Sequence, residues 1–317
     1  MRNFSGIAWA RAANEKHVEE TAMKGTLKAL YNFALCFIPE TRWGDKLISF
    51  MHFLWRHRRL PTKKLLFNDV LYRIKTTDEI IDPLRVFVSD KEFVKLYVKA
   101  IVGDDFNVPT IRVLHTIEEV LSYKFPSNCC IKPTHLQGAV ILRKQDQPIA
   151  FEEIARWFKS THYQVNREAN YKSLRPKVIV EPLIFDSDNL TDYKIFCYGD
   201  AKPQLIQVDV DRHIEHTRKF FDAGWNELPF SLFYPPSSRR LEKPRNLDKM
   251  LWVASSLGRH FGFVRVDLYS NGEQCLVGEI TNCHGNASER FTPQSAEMLA
   301  SSMIFGTPQA EIGSIEV

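Results

Sequence analysis

Three ionisable residues interrupt two apolar, strand-like runs in the C-terminal third of the sequence. Arg265 and Asp267 lie in one run, Glu279 lies in the next, and an Asn-Gly pair separates the two runs. Burying a charged side chain is costly unless it is paired or bound to a cation. Two carboxylates on rigid neighbouring strands also offer the hard oxygen ligands that suit Mg²⁺. This hairpin alone therefore leaves two alternatives, a magnesium site and a metal-free salt bridge with Arg265.

The register of the hairpin decides whether the two carboxylates can cooperate. A two-residue Asn-Gly turn puts Asp267 and Glu279 on opposite faces, because side chains alternate along a strand. Cooperation requires a loop of odd length or a β-bulge. A three-residue loop over residues 271–273 sets Arg265 opposite Glu279, with Asp267 one diagonal step away. Along the second strand, we expect Glu279 to share a face with Val277.

A lysine at the end of an apolar run marks a second candidate site. Lys132 lies in "CCIKPTHLQGAVIL", where a polar turn containing His135 and ending at Gly138 leads to another strand. The lysine ammonium and the backbone amides of such a turn can face the same phosphate group. A solvated lysine is the alternative.

A third stretch is typical of a hinge between two lobes. An apolar run over residues 178–180 is followed at once by Glu181, Pro182 and Leu183, and Lys194 lies inside the next strand. Such a hinge can offer backbone hydrogen bonds to a purine while its apolar residues sandwich the ring. Each stretch alone is compatible with ordinary structure, so their order along the chain is the more informative feature.

The elements around these residues favour an α+β fold. Strands are predicted at residues 128–133, 139–143, 176–182, 192–198, 203–210, 261–269 and 274–281, and helices at 115–122, 149–159, 245–260 and 293–304. A single amphipathic helix, opened by Ser89 and Asp90, is predicted over residues 88–103. Strands and helices do not alternate regularly, which favours α+β over a doubly wound sheet.

Length and composition indicate a folded, soluble chain with room for two domains. The 317 residues are 44% hydrophobic and 25% charged, close to globular averages. The six cysteines include no CxxC pair, which favours reduced thiols. No apolar run is long enough to span a membrane, and the N-terminal residues lack the apolar core of a secretion signal. We therefore expect a cytoplasmic protein without a nucleic-acid partner.

The N-terminal part of the chain is basic. Residues 1–75 carry 14 Lys and Arg against 6 acidic residues, a balance of +8 in a chain of net charge +4. Segments 26–39 and 44–61 are predicted to be helical. The second has an apolar face beside a basic cluster; the face consists of Leu47, Ile48, Met51, Leu54 and Trp55, and the cluster of Arg56, Arg58 and Arg59. We expect this face to pack on the body of the protein, with peripheral contact to an anionic membrane as the alternative.

The order of these motifs resembles the ATP-grasp superfamily and, more narrowly, the TupA-like ATP-grasp family, which is associated with teichuronopeptide and other cell-envelope polysaccharide synthesis. The resemblance covers roughly residues 60–300. It is carried by Ser89-Asp90-Lys91, "IKPTHLQG" (131–138), "VEPLI" (180–184), "DYKIFCYGD" (192–200), "RKFFDAGW" (218–225), "FVRVDLY" (263–269) and "VGEITN" (277–282).

The resemblance implies an ATP-grasp fold, in which two α+β lobes sandwich ATP. Residues 1–85 would form an N-terminal helical, basic region, 86–182 a small lobe with a preceding helix, and 183–317 a large lobe with the metal site. The implied ATP contacts are Lys132, Lys194, His135 and Gly138 for the phosphates and Glu181, Pro182 and Leu183 for adenine.

The resemblance also assigns the charged hairpin. Asp267 and Glu279 would hold Mg²⁺, while Arg265, with Lys194 as the second catalytic residue, would face the transferring phosphoryl group or the acyl phosphate. Many ATP-grasp ligases have an asparagine two residues after the glutamate, where this chain has Thr281. The third metal ligand is therefore either Thr281 or the next residue, an asparagine. A leucine and a glutamine at 136 and 137 replace small residues of many relatives, which predicts a reshaped phosphate turn.

The chemistry that the resemblance implies is ATP-dependent carboxylate–amine ligation through an acyl phosphate. Its substrates would be small molecules, a carboxylate and an amine drawn from sugar acids, amino sugars and amino acids, used in surface polysaccharide synthesis. A phosphotransferase on the same scaffold and a weakly catalytic nucleotide-binding partner protein are the alternatives. ADP release measured with and without an added amine separates the three.

Overall fold

The structure is a computed structural model, and it describes residues 38–185, 191–210 and 216–306. The helix predicted over residues 26–39 therefore lies almost entirely outside the described residues, as does half of the basic N-terminal part. The described helices are α1 (Arg42–His57), α2 (Phe67–Thr76), α3 (Pro83–Ser89), α4 (Phe93–Ile101), α5 (Ile117–Ser122), α6 (Phe151–Lys159), α7 (His162–Asn166), α8 (Leu247–Gly258) and α9 (Ala296–Phe305). The described strands are β1 (Arg112–Leu114), β2 (Cys129–Pro133), β3 (Ile141–Arg143), β4 (Val178–Glu181), β5 (Asp192–Cys197), β6 (Leu205–Val210), β7 (Thr217–Phe221), β8 (Ser231–Leu232), β9 (Val264–Ser270), β10 (Cys275–Thr281) and β11 (Phe291–Thr292).

Two antiparallel sheets organise the described residues. The small sheet has four strands in the order β1-β4-β2-β3, and the large sheet has five in the order β10-β9-β5-β6-β7. A third, two-stranded sheet pairs β11 with β8. This combination of helices and antiparallel sheets confirms the predicted α+β class. Within the described residues, no helix is both long and apolar enough to cross a bilayer.

The small sheet has one apolar face and one face with charged residues. Alternate side chains of β2 and β4, including Ile131 and Val180, form a core with Ile154 of α6. Because successive side chains point to opposite sides of a strand, Lys132 and Glu181 lie on the other face.

The large sheet is apolar over most of one face, where Lys219 of β7 is an exception, and charged over part of the other. Val208 of β6 and Val266 of β9 pack on one face against Val253 of α8. On the opposite face, Phe196 and Phe263 lie in a second apolar core at one end of the strands. The other end of that face carries the charged residues.

The N-terminal helices are anchored to the large sheet. Phe67 and Ile74 of α2 share the second core with Phe263 and with Ala300 of α9. The backbone N–H of Phe67 donates a hydrogen bond to Ser301 Oγ at 2.8 Å.

Two predictions about the helices differ from the structure. The helix predicted over 88–103 is present as α4, and Asp90 lies before it in extended conformation with its side chain accepting from the Glu92 N–H at 2.9 Å, but the helix begins only at Phe93, and Ser89 belongs to α3. The apolar face predicted on α1 does not pack as a unit on the body of the protein. Ile48 is buried, whereas Leu54 is 41% exposed.

A β-bulge sets the register of the β9–β10 hairpin. Val277 pairs with Leu268, but Glu279 pairs with Asp267, so Gly278 is the extra residue. The strands end at Ser270 and begin again at Cys275, leaving a four-residue loop, so of the two alternatives, an odd loop or a bulge, the structure has the bulge. The bulge moves Glu279 off the face that carries Val277, and it places the Glu279 and Asp267 side chains directly opposite each other.

The bulge brings the opposing strand very close to Gly278. A Cβ atom built on this glycine would lie 2.8 Å from Cε2 of Tyr269, closer than such atoms approach in proteins. A side chain at this position would have to displace either the Tyr269 ring or the bulge.

We expect Gly278→Ala to lower the free energy of unfolding by about 1–3 kcal/mol, because it overpacks the Tyr269 contact. Chemical denaturation measures the change. Gly262→Ala is the matched control, since its Cβ would meet only the end of the Glu79 side chain, with Oε1 at 3.3 Å; it should change stability by less than about 0.5 kcal/mol. Equal losses in the two variants would contradict the role assigned to the bulge.

Candidate active site

Four neighbouring strands of the large sheet present charged side chains on one face. These are Asp192 and Lys194 of β5, Asp209 of β6, Arg265 and Asp267 of β9, and Glu279 of β10. Lys194 is the Cα partner of Asp267, and Asp192 is the Cα partner of Asp209. All are buried except Glu279, whose side chain is 31% exposed. A glutamate at this position can meet a ligand without unfolding the sheet.

Lys194 lies among three carboxylates. Its Nζ contacts Asp192, lies 3.2 Å from Asp267 Oδ2, and lies 3.7 Å from Asp209 Oδ2. Burial disfavours the charged ammonium, but the charges of Asp192 and Asp267 outweigh burial and raise the pKa of Lys194. The lysine is 4% exposed. Its charge therefore neutralises the acidic side chains, and its ammonium has little open surface for a phosphate.

Arg265 joins the two carboxylates of the hairpin. Its Nε and Nη2 donate to the two carboxylate oxygens of Asp267, both at 2.6 Å, and Nη2 lies 3.4 Å from Glu279 Oε1. The charge of Asp267 overcomes the effect of burial and raises the pKa of Arg265. Burial also opposes the ionised form of Glu279, yet Lys91 and Arg265 lower its pKa. Both carboxylate–guanidinium contacts thus keep their charges.

Thr281, not Asn282, lies on the site face of β10. The Thr281 hydroxyl donates to Glu279 Oε1 at 2.9 Å and accepts from Arg265 Nη2 at 3.1 Å. Asn282 instead bonds to Arg85 of α3, accepting from its guanidinium at 3.0 Å. Because successive residues of a strand point to opposite faces, only one of the two can join the carboxylates.

Further contacts close these side chains into a ring. Arg218 of β7 donates to Asp209 at 2.7 Å and to Glu289 at 2.9 Å. His284 Nε2 lies 2.8 Å from Glu289 Oε2, and His284 Nδ1 contacts Arg265. The members of this ionic ring, in order of contact, are Lys194, Asp209, Arg218, Glu289, His284, Arg265 and Asp267.

The loop that carries His284 has an unusual backbone, and the N-terminal helices hold it. Gly285, Asn286 and Ala287 all have left-handed conformations, with φ of 53°, 57° and 54°. Left-handed backbone is costly for residues other than glycine and persists where the surroundings impose it. Lys75 of α2 bonds to the Asn286 side chain. His57 Nε2 of α1 lies 2.9 Å from the Ala287 carbonyl oxygen.

Lys132 and Glu181 form a second charged group, on the small sheet. Lys132 Nζ donates to Glu181 Oε2 at 2.8 Å, and Lys95 of α4 lies 2.6 Å from Glu181 Oε1. Burial opposes ionisation of Glu181, but the two lysines lower its pKa. Glu181 therefore fixes the lysines instead of pointing away from them into the hinge.

Burial raises the pKa of Tyr269, the ring beside the bulge, to about 12, and the charge of Lys132 acts in the opposite direction.

One residue of the turn after Lys132, His135, does not lie where a phosphate contact was expected. Gly138 is exposed with φ +74°, a conformation that favours glycine. His135 is buried, and its Nε2 lies 3.0 Å from the Trp157 carbonyl oxygen. Burial lowers the pKa of His135, so it is neutral. The structure thus directs His135 into the small-lobe core.

A groove lies beside the hinge. It has a volume of about 360 Å³ and is lined by Pro182, Ile184 and Phe185 of the hinge and by Leu276 of β10. Leu183, predicted with Pro182, is not among the residues that line it. The lining also includes polar side chains, among them Asp104, Asp105 and Asn107, so the groove offers both apolar contacts and hydrogen-bonding groups to a flat ring system.

Several residues of the site were missed by sequence reasoning. They are Asp192, Asp209, Arg218, His284, Glu289, Lys91 and Lys95. Asp192 and Asp209 carried a usable signal, since each is an acidic residue inside an otherwise apolar strand, as Asp267 is. Glu289 gave none, because it lies in a loop and reaches the sheet only through the tertiary fold.

The oxygen ligands of the hairpin suit Mg²⁺. Asp267, Glu279 and the Thr281 hydroxyl bring two carboxylates and a neutral oxygen together, which is the donor chemistry that this ion prefers. Across the ranges that the structure describes, no group of three or more His, Cys, Asp or Glu side chains could hold a metal ion. An ion here would therefore take its remaining ligands from water or substrate.

The model of one protein family, described as TupA-like ATPgrasp, matches residues 71–304 of the chain. This match covers more than half of the sequence, and the chain belongs to the TupA-like ATP-grasp family. The resemblance drawn from the motifs and the ATP-grasp fold it implied are confirmed. No similar sequence was found among curated proteins.

Similar solved structures include D-alanine-D-alanine ligases and an N5-carboxyaminoimidazole synthase. A D-alanine-D-alanine ligase from Helicobacter pylori is 12% identical, with 72% of this chain and 61% of that chain covered and a TM-score of 0.37. An N5-carboxyaminoimidazole synthase from Aspergillus clavatus is 10% identical, with 63% and 46% covered and a TM-score of 0.36. A Bacillus anthracis D-alanine-D-alanine ligase complexed with ATP is 16% identical, with 70% and 64% covered and a TM-score of 0.35. The match spans less than two thirds of each of these proteins.

We expect Arg265→Met to lower the free energy of unfolding by about 3–5 kcal/mol, because Asp267 and Glu279 lose the guanidinium that compensates their charge. Chemical denaturation of the variant measures the loss. In the double variant Arg265→Met/Asp267→Asn, part of the loss should be recovered, since the better-buried carboxylate is then neutral. Additive effects of the two substitutions would show that the side chains do not depend on each other.

Proposed function

We propose that the chain is an ATP-dependent carboxylate–amine ligase that forms an amide through an acyl phosphate. The observation that carries this proposal is the pair Asp267 and Glu279, which lie directly opposite each other with Arg265 bridging them. The guanidinium is buried and bonded to both carboxylates, so it would add positive charge beside a phosphoryl group during transfer without offering it open donors. Membership of the TupA-like ATP-grasp family supports ATP as the phosphoryl donor.

ATP would lie between the two sheets. The groove at Pro182 and Leu276, which has both apolar and polar lining, is the proposed place for adenine, and Lys132, backed by Glu181, is the proposed contact of the phosphates. Lys91 Nζ donates a hydrogen bond to the Leu136 carbonyl oxygen, in the turn that ends at the exposed Gly138.

Lys194 is assigned an indirect part. It lies beneath the carboxylates, where it fixes Asp267 and adds positive charge under the reacting groups. Its burial among acidic side chains supports a positioning role in place of the direct phosphate contact implied by the sequence.

Mg²⁺ would be held by Asp267 and Glu279, with the Thr281 hydroxyl as the nearest neutral oxygen. When bound, it would supply charge neutralisation for the phosphates. Arg265 would then remain attached to Asp267 and face the phosphoryl group, so the charge of that carboxylate is shared between metal and guanidinium.

The proposed reaction has two steps. A substrate carboxylate oxygen attacks the γ-phosphorus of ATP, the bond to the β-phosphate oxygen breaks, and ADP leaves. The amine nitrogen then attacks the acyl carbon, inorganic phosphate leaves, and the ammonium proton is lost. No side-chain nucleophile is required, because the side chains position the reactants and stabilise charge.

We further propose that the substrates are a sugar acid, amino sugar or amino acid used in cell-surface polysaccharide synthesis in the cytoplasm. The family association supports this choice. Hydroxylamine provides a direct test, because it converts an acyl phosphate to a hydroxamate. ATP-dependent hydroxamate from a panel of sugar acids and amino acids supports ligation. A stable phosphorylated product with no hydroxamate would favour a phosphotransferase. If no compound of the panel stimulates ADP release from ATP, a nucleotide-binding partner protein would be favoured.

We expect Glu279→Gln and Asp267→Asn each to reduce Mg²⁺-dependent ATP turnover by about 100-fold or more, because each removes a metal-binding charge while keeping side-chain size. Steady-state ADP release measures turnover, and thermal unfolding shows that the variants are folded. Glu273→Gln, in the loop of the same hairpin, is the control and should retain full turnover. Near-normal turnover in both site variants would refute the metal assignment.

We expect Lys132→Ala to weaken ATP binding by about 10- to 100-fold, the loss typical of a hydrogen bond to a charged group, while adenosine binding is unchanged. Lys95 remains beside Glu181 in this variant, so the carboxylate keeps a partner. Calorimetric titration with ATP and with adenosine measures both affinities. Lys99→Ala, at an exposed lysine of the same helix as Lys95, serves as the control. Equal weakening of adenosine would show that Lys132 is not a phosphate contact.

A further inference from the structure

Helix α1 buries three polar side chains beside two apolar ones and leaves six of its eight apolar side chains partly or fully exposed. The residues that it buries are Gly44, Asp45, Ile48, Ser49, Phe53 and His57. Asp45 accepts a hydrogen bond from the Tyr163 hydroxyl at 2.8 Å, and His57 holds the loop after β10. Most helices on the surface of a protein have the opposite arrangement, with the apolar side buried.

The outward side of α1 is apolar. Trp43, Leu47, Phe50 and Leu54 follow one another at spacings of four, three and four residues, so they form one line along the helix. Trp43 is 66% exposed and Leu54 is 41% exposed, while the two residues between them are partly exposed. Leu60, beyond the end of the helix, is 62% exposed. We call this line, with Leu60, the α1 outer face.

The charges in the segment that carries the α1 outer face are mainly basic. Residues 41–66 contain seven Lys and Arg and one acidic residue, Asp45, which is buried; the exposed Glu40 precedes this segment, and Asp78 lies 3.9 Å from Arg42. Lys46, Arg58 and Lys63 are exposed in this segment. An apolar helix face with tryptophan and flanking basic residues is the composition of helices that lie in the headgroup region of anionic membranes.

We propose that the α1 outer face docks on an anionic lipid surface. The helix would lie parallel to the membrane, with Trp43, Leu54 and Leu60 inserted among the headgroups and Arg58 and Lys63 against lipid phosphates. A second copy of the chain is a poorer occupant, because it would bring two basic segments of the same sign together. The polar inner side of α1 stays on the protein, so docking requires no rearrangement of the fold.

Vesicle cosedimentation of the full chain tests the proposal. The probes are phosphatidylcholine vesicles with and without phosphatidylglycerol, at low and at high salt. We expect binding only to the vesicles that contain phosphatidylglycerol, and weaker binding at high salt because salt screens the charges. Absence of binding at low salt, or equal binding to the neutral vesicles, overturns the proposal.

Two variants separate the apolar and the basic contributions. Trp43→Gln/Leu54→Gln should reduce the vesicle partition coefficient by about tenfold or more, because it removes the inserted side chains. Arg58→Gln/Lys63→Gln should reduce it by roughly thirtyfold, from two charges near an anionic surface. These two basic residues are chosen because Arg56 and Arg59 bond within the protein, to the Ser288 carbonyl and to the buried Asp69.

The matched control is Trp252→Gln/Leu121→Gln, which changes the same residue types at exposed positions of α8 and α5. It should leave vesicle binding unchanged, and all three double variants should keep the wild-type Tm and ATP turnover. Unchanged vesicle binding in both α1 variants overturns the proposal. A marked fall in Tm for Trp43→Gln/Leu54→Gln also overturns it, since it would show that the face is covered within the folded protein.

Discussion

Buried charge is the constraint on which the rest of this structure depends. The ionic ring places three carboxylates, two guanidinium groups and an ammonium on one face of a sheet, and removing such groups from water costs several kcal/mol each. The cost is offset only if every charge has a partner at close range. Two-oxygen contacts such as Arg265 to Asp267 meet this requirement, and neighbouring antiparallel strands hold them in register. The sheet is therefore shaped by the same side chains that give it a chemical use.

The bulge at Gly278 determines which residues of β10 join the buried charges. One extra residue reverses the faces of β10 from that point onward. Val277 before the bulge therefore faces the apolar core, while Glu279 and Thr281 after it lie on the charged face. Without the bulge, Glu279 and Thr281 would point into the apolar core beside Val277, where no positive charge is available. Glycine permits the bulge, because the Tyr269 ring leaves no space for a Cβ. A backbone irregularity thus turns a structural hairpin into a pair of opposed carboxylates.

The sequence was most informative where one residue differs from its immediate neighbours. Asp267 and Glu279 could be predicted because acidic residues inside apolar strands require an explanation, and the strands themselves follow from a period of two. A bulge was one of two alternatives that the sequence left open, but its position at Gly278 could not be predicted, since the evidence for it is a contact with the opposing strand. Glu289 and His284 could not be predicted as ring members, because their partners lie far away in sequence. The apolar face predicted on α1 shares Leu47 and Leu54 with the α1 outer face but also included Ile48, which is buried, because periodicity alone does not show which side of a helix faces the protein.

The two sides of helix α1 differ in what they contact. Its inner side uses polar groups to hold a strained loop: His57 contacts the Ala287 carbonyl, and Arg56 donates to the Ser288 carbonyl at 3.0 Å. That loop begins at His284, which contacts Arg265 in the ionic ring. An apolar inner side could not satisfy these carbonyl groups, which would then be buried without partners. The inversion of α1 is therefore a consequence of the loop it supports, and the apolar residues that a helix of this kind would ordinarily bury are left on its outer side.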